Sequence, residues 1–312
     1  MIRYGWSGVD LFFILSGYLI GKKLWDELSK NNTIHYRKFL LQRALRIVPL
    51  YFFYLMISFL FFREPGQKTQ ELFPELFFVS NYFDTHFIQG SWSLSIEEQF
   101  YWIAPLFLML LNRFRFISRN FMKWAVLFLM VPSLIRWISL KLNPIASENK
   151  SEFIRLYIQR PFYCHFDSLW LGIVIASQPL EKIQKIFLNR ISLFRFSILF
   201  ILTLMNKIVF GYLSLAVLFG VILVWGLNRN LNFRTKTTET ISKLSYGMYL
   251  NHLFLMVPVA SFFNQIIVIP EPNLRWTMIF LVVASLSTLI SKMTYQLIEK
   301  PILTWRNKIT FN

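Results

Sequence analysis

Residues 90–105 gather the side chains best suited to proton transfer in this sequence. Glu97, Glu98, Gln99 and Tyr101 stand with the hydroxyls of Ser91, Ser93 and Ser95 at the head of an apolar run that continues through Leu111. Carboxylates at the head of a membrane-length segment are costly to bury and are usually retained for work. Glu97 and Tyr101 are four residues apart, so on a helix they share one face and look together into a cavity. Placed in that way they are candidates to take or polarise a hydroxyl proton. Two structural readings stand beside this one. Ser95 and Glu98 have the spacing of a capping box, which makes Glu98 a helix-start residue. Glu97 would also suit the positive end of a helix as a solvated acid.

Asp10 lies near the head of the first apolar stretch. It is either a carboxylate facing a bundle interior or, with Ser7 three residues before it, half of a second capping box. Gly17 and Gly21 form a Gly-x-x-x-Gly pair that permits close helix approach in lipid. Arg43 and Arg46, three apart, present two guanidinium groups on one helical face. They can grip phosphates in bidentate fashion, or supply positive charge to anionic lipid, as Lys38 does. His165 and Asp167 are two apart, so on a helix they do not face each other and make a poor acid–base dyad. His252, near the start of an apolar segment, suits packing at a helix end. His86 reads as a loop residue, and Glu299 beside Lys300 as an interfacial ion pair. No nucleophile elbow, phosphate-binding glycine loop or histidine metal set appears, so no metal is expected. Cys164 is the single cysteine, which rules out an intrachain disulfide.

A membrane scaffold must position these residues. The chain is 55% hydrophobic with positive mean hydropathy, more than a soluble domain of 312 residues needs for its core. The net charge of +17 sits in short basic clusters between apolar runs, a membrane topology signal rather than a nucleic-acid footprint. A spanning helix needs about 20 mostly apolar residues. By that measure nine segments qualify: 6–24, 46–62, 95–111, 122–140, 164–178, 191–205, 207–226, 245–269 and 275–298. The expectation is an all-α integral membrane protein, a multi-pass helical bundle of about nine transmembrane helices forming one domain. One set of alternate loops holds 21 Lys and Arg residues and the other holds nine. The richer side should be cytoplasmic, which puts the C-terminus inside and, with nine spans, the N-terminus outside.

The string Trp92-Ser-Leu-Ser-Ile-Glu-Glu-Gln-Phe-Tyr101 resembles the signature of the membrane-bound acyltransferase-3 family, bacterial enzymes that O-acylate sugars of lipopolysaccharide, peptidoglycan and exopolysaccharides. Gly8-Val-Asp-Leu-Phe-Phe with Ser16-Gly17, Arg43-Ala-Leu-Arg-Ile-Val-Pro-Leu-Tyr51, His165-Phe-Asp-Ser-Leu-Trp-Leu-Gly172, Ser245-Tyr-Gly-Met-Tyr-Leu-Asn-His252 and Tyr295-Gln-Leu-Ile-Glu-Lys-Pro301 are similar to further elements of that family. His165 stands where Arg is usual and Asn251 where Trp is common. The resemblance implies Glu97, Asp10 and Tyr101 as catalytic residues. It implies Arg43, Arg46, Ser16, Gly17, Trp92, Ser93, Asp167 and His252 as residues that bind donor or acceptor. The family pattern has ten helices, the first carrying an Arg and the His taken as catalytic base. None of His35, His86, His165 or His252 precedes Asp10, so the resemblance places the catalytic His upstream of Met1. Residues 1–312 are therefore expected to form an N-terminally incomplete acyltransferase-3-like domain of weak activity, since general-base help contributes about 10²–10⁴-fold.

By the same resemblance, acyl-CoA is the donor substrate, no cofactor is permanently bound, and an acyl group, most often acetyl, passes to a hydroxyl of an exported or cell-surface carbohydrate. The place implied is the bacterial inner membrane. The alternative is a non-catalytic membrane protein, either an inactive acyltransferase or a polysaccharide-translocation component, because polar residues in membrane segments also line transport pathways.

Overall fold

Apolar runs in lipid fold as helices because each backbone N–H and C=O must find its partner within the segment. The computed structural model describes residues 7–63, 67–84, 87–114, 121–142, 150–187, 198–203, 205–228, 235–265 and 271–310. Gly5, Trp6, His86 and most of the predicted segment 191–205 lie outside the described residues. So does Met1, and with it the expectation of a further helix and a catalytic His ahead of that residue. Among those described there is no strand. The principal helices are α1 (Ser7–Asn31), α2 (Tyr36–Phe61), α3 (Ser91–Arg113), α4 (Phe121–Leu142), α5 (Asp167–Ala176), α6 (Leu180–Phe187), α7 (Lys207–Asn228), α8 (Lys236–Gln265) and α9 (Pro272–Thr294). A π-helical turn, Tyr295–Glu299, joins α9 to α10 (Lys300–Thr310).

Among the described residues six helices are long and apolar enough to cross a membrane: α2, α3, α4, α7, α8 and the run Pro272–Lys308. The chain is an all-α, multi-pass membrane protein. Leu60, Phe61, Leu127 and Phe280 are exposed on these helices, as side chains solvated by lipid should be. Helix α1 contains residues 7–24 of the first predicted segment and continues as a charged helix to Asn31. The predicted segment 164–178 does not form one membrane-length helix. It is a single turn, Phe162–His165, followed by the ten residues of α5, about 15 Å of rise. Nearly every side chain of α5 is buried among other helices, so this segment is core rather than lipid-facing.

The Gly-x-x-x-Gly pair finds its partner in α5. A Cβ on Gly17 would lie 2.1 Å from the Leu169 carbonyl oxygen, and one on Gly172 would lie 2.5 Å from the Ile14 oxygen. Helices α1 and α5 therefore touch backbone to backbone, an approach that only glycine allows. Around this contact Phe13, Ile20, Leu50, Ile96, Leu108 and Leu169 form the core. Polar groups join the other helices. Asn251 on α8 donates to Tyr54 Oη (3.2 Å) on α2 and to Ser291 Oγ (3.0 Å) on α9. In the 63–95 connection, buried Glu75 accepts from Tyr51 (2.7 Å) and Ser91 (3.0 Å), and Ser80 Oγ meets Ser91 Oγ (3.0 Å) and Ser95 Oγ (2.8 Å). That network ties the connection to the start of α3.

Candidate active site

Helix α3 begins at Ser91, immediately after Gly90, whose φ of 85° is left-handed and suits glycine. Ser95 is therefore inside the helix, not at its cap, and its hydroxyl is bonded to Ser80. The capping-box reading of Ser95 and Glu98 is overturned: the helix starts a turn earlier than the capping pattern implies. Glu98 is instead buried, and its Oε1 has no hydrogen-bond partner among the described residues.

The preceding residue, Glu97, is 3% exposed. Its Oε1 accepts hydrogen bonds from both Ser16 Oγ on α1 and the Tyr101 hydroxyl on its own helix. The Ser16 and Tyr101 oxygens are 3.1 Å apart. The four-residue spacing thus does bring Glu97 and Tyr101 together, and α1 adds a hydroxyl to them. Arg43 of α2 lies 5.4 Å from the Tyr101 ring centre and 5.8 Å from that of Phe39, within cation–π range. Arg46, a turn further on, is exposed. Ser93 bonds to the Tyr249 hydroxyl, which also donates to the Gly90 carbonyl (2.9 Å).

A second buried group adjoins the first through Trp92, whose ring stacks on His165 at 5.9 Å. Asp10 is fully buried. Its Oδ1 accepts from Ser168 Oγ (2.8 Å) and faces His165 Nε2 at 3.1 Å. His165 Nδ1 is 2.7 Å from the Gln159 carbonyl, an acceptor, so that nitrogen carries hydrogen. One proton is then shared between Nε2 and Asp10. Asp167 pairs not with His165 but with Arg136 of α4, whose NH1 and NH2 both reach Oδ2. Arg136 also donates to Ser133 Oγ (2.9 Å), the Val209 carbonyl (2.9 Å) and the Cys164 carbonyl.

Ligand atoms of Asp10, His165 and Asp167 lie within 4.8 Å of one another, the closeness a metal site requires. Here Arg136 already supplies the positive charge, with two N–H groups on one Asp167 oxygen, so the set is better matched to ion pairing. His252 Nδ1 faces carbonyls of its own helix, Tyr249 (2.7 Å) and Met248 (3.2 Å). Glu299 is buried, and its Oε1 has no partner among the described residues, which replaces the expected surface pair with Lys300.

The string that supplies Glu97 and Tyr101, the α1 element that supplies Asp10, Ser16 and Gly17, and the α5 element that packs against it therefore converge. A family model for an acyltransferase domain matches residues 7–292, nearly all of this convergent core. The chain belongs to the acyltransferase-3 family. It is 27% identical, over 96% of its length, to peptidoglycan O-acetyltransferase OatA of Listeria monocytogenes serovar 1/2a, covering 51% of that protein. It is 28% identical, again over 96% of its length, to O-acetyltransferase OatA of Staphylococcus aureus strain NCTC 8325, covering 52% of it. A putative peptidoglycan O-acetyltransferase, YrhL of Bacillus subtilis strain 168, is 37% identical over 33% of this chain and 19% of its own length. The chain thus spans about half the length of the two O-acetyltransferases it matches along most of its own. No solved structure matches.

Within this acyltransferase-3 chain, Arg136 and Ser168 have roles not expected from the sequence, and Glu75, which with Glu64, Glu71 and Asp84 suits an outside loop, is instead buried. Arg136 carried a usable signal: an arginine in the middle of an apolar run must find an acid. Ser168 and Glu75 carried none, because their partners are fixed only by how distant segments dock.

Proposed function

We propose that this chain transfers an acetyl group from acyl-CoA to a hydroxyl of a cell-surface carbohydrate, working in the bacterial cytoplasmic membrane with its C-terminus on the cytoplasmic side. The observation that carries the reading is the buried carboxylate of Glu97, held by the hydroxyls of Ser16 and Tyr101 with Arg43 against the Tyr101 ring. The relatives named as peptidoglycan O-acetyltransferases support both the acetyl group and a cell-wall carbohydrate acceptor.

In this reading the acceptor oxygen attacks the thioester carbonyl, the C–S bond breaks, and the acceptor proton passes to the departing thiol by way of a basic group. Glu97 polarises the hydroxyl, and Ser16 and Tyr101 hold it in one orientation. Such positioning and charge stabilisation are what acyl transfer asks of a site. Arg43, half-buried at the edge of the cluster, and Arg46, exposed one turn on, would hold the donor phosphates. Asp10, Trp92 and Asp167 form the wall behind, where Asp10 fixes α1 against α5 through Ser168 and Asp167 fixes α5 to α4 through Arg136.

The test supplies radiolabelled acetyl-CoA to membranes carrying the protein and to membranes without it, then follows free thiol and label in the cell-wall glycan. Both should rise with the protein. Glycan label that does not depend on the protein, with no thiol released, would refute the reading and favour a non-catalytic role.

A further inference from the structure

A cavity of about 910 Å³ lies between one face of α7, residues 199–203 and the turn Ile154–Gln159. That is at the upper end of the range in which proteins hold small molecules, about 300–1,000 Å³. It shares no lining residue with the Glu97 cluster. Its interior is apolar, with Leu199, Phe200, Ile208, Leu215, Leu218 and Val221 on its walls. The hydroxyls of Thr203 and Ser214 on those walls are already engaged: Thr203 donates to the Leu199 carbonyl (2.9 Å) and hydrogen-bonds to Ser214. The body of any occupant must therefore be apolar too, since those hydroxyls are engaged with the protein itself.

Ser7, Gln159 and Lys207 also line the cavity, and the Gln159 carbonyl is held at His165 Nδ1. Arg136 bonds to the Val209 carbonyl and to Asp167, which sets the start of α7 beside the core pairs. Asp10, bonded to His165, sets the start of α1 at the same level. Lys207 is the one charged side chain among the described residues that line the cavity. An apolar slot with a cation at its polar end, on a helix that crosses the bilayer, matches an amphiphile with a negative head. We propose that this cavity holds one acyl chain of an anionic phospholipid, with the phosphate beside Lys207.

The site also adjoins the buried charges. Tyr212 lines the cavity, and its ring lies 4.4 Å from the His165 ring and 5.2 Å from the Arg136 guanidinium. A chain in the slot packs against the outer wall of that group, so occupancy should stabilise the fold whether or not the protein transfers acetyl groups.

The test places the protein in phosphatidylcholine nanodiscs with a small fraction of phosphatidylglycerol bearing a photoactivatable group on one acyl chain, and maps the cross-linked residues by mass spectrometry. Labelling should concentrate on residues 199–221. Gly211→Phe fills the slot without meeting backbone, since a Cβ there has only the Lys207 side chain within reach, at 3.7 Å. It should abolish that labelling in a protein that still melts cooperatively, with Leu218→Trp as a second filler if the first does not fold. Lys207→Glu should reduce the preference for phosphatidylglycerol over a phosphatidylcholine probe by about fivefold or more. Labelling no stronger here than at lipid-facing Phe280 and Leu281, or unchanged by both fillers, would overturn the proposal. So would equal labelling by the two probes, or cross-links to a second copy of the protein in place of lipid.

Discussion

Arg136 on α4 reaches a single oxygen of Asp167 on α5 with two N–H groups, at 3.0 and 3.1 Å, and both side chains are completely buried. Asp10 and His165 sit beside them, so α1, α4, α5 and the turn before α5 meet at one polar knot within an apolar bundle. Removing one member of a buried ion pair leaves the other uncompensated, which costs about 3–5 kcal/mol. Arg136→Ala and Asp167→Ala should each lose most of the folded protein, measured as monodisperse yield and melting temperature in detergent. The double change Arg136→Met with Asp167→Leu should recover much of it, because replacing both charges is often nearly neutral. Single variants that melt like the parent would show the pair to be dispensable.

The backbone contact between α1 and α5 gives a second expectation. Gly17→Ala drives a Cβ toward the Leu169 carbonyl, whereas Gly8→Ala meets nothing within 4 Å. Overpacking typically costs about 1–3 kcal/mol, and a clash with backbone belongs at the upper end. Gly17→Ala should melt well below the parent and Gly8→Ala with it. Equal melting curves would mean that the helices are further apart.

Glu98 separates the structural reading from the capping reading. A lost cap would cost about 1 kcal/mol. A buried carboxylate whose Oε1 lacks a partner among the described residues has no such bond to lose. Glu98→Gln should therefore melt at or above the parent temperature. A clear drop would restore a bonding role for this side chain.

His165 occupies the position where the family usually has Arg, and the structure gives that position an acid to face, Asp10 at 3.1 Å. His165→Arg should retain the fold and the transfer activity. His165→Leu should lower both, because it takes from Asp10 a partner that the Ser168 hydroxyl alone does not replace. The checks are melting temperature and acetyl transfer in parallel. A leucine variant that matches the arginine one in both would contradict the pairing.

Much of this arrangement was legible beforehand where the signal was local. Helix identity follows from apolar runs, the Glu97–Tyr101 pairing from a four-residue spacing, and the close α1 packing from Gly17 and Gly21. Two local signals misled. The Ser95–Glu98 spacing mimics a cap, but Gly90 in a left-handed conformation starts the helix one turn earlier. The apolar run 164–178 mimics a span, but it is broken at Phe166, and that break aims His165 at Asp10 and Asp167 at Arg136. Partners 155 and 31 residues apart in sequence leave no periodicity to read. The partners of Glu75 and Ser168 were invisible for the same reason.

The most direct test of the account compares Glu97→Gln with the parent in the labelled acetyl-CoA assay, after both have been shown to melt alike. Glutamine keeps the size of the side chain and removes the carboxylate that Ser16 and Tyr101 hold. The expected result is a loss of acetyl transfer of about 10²–10⁴-fold, with Ser16→Ala and Tyr101→Phe each showing a smaller loss in the same direction. Transfer at the parental rate by the folded Glu97→Gln protein would contradict the central claim that this carboxylate serves the reaction.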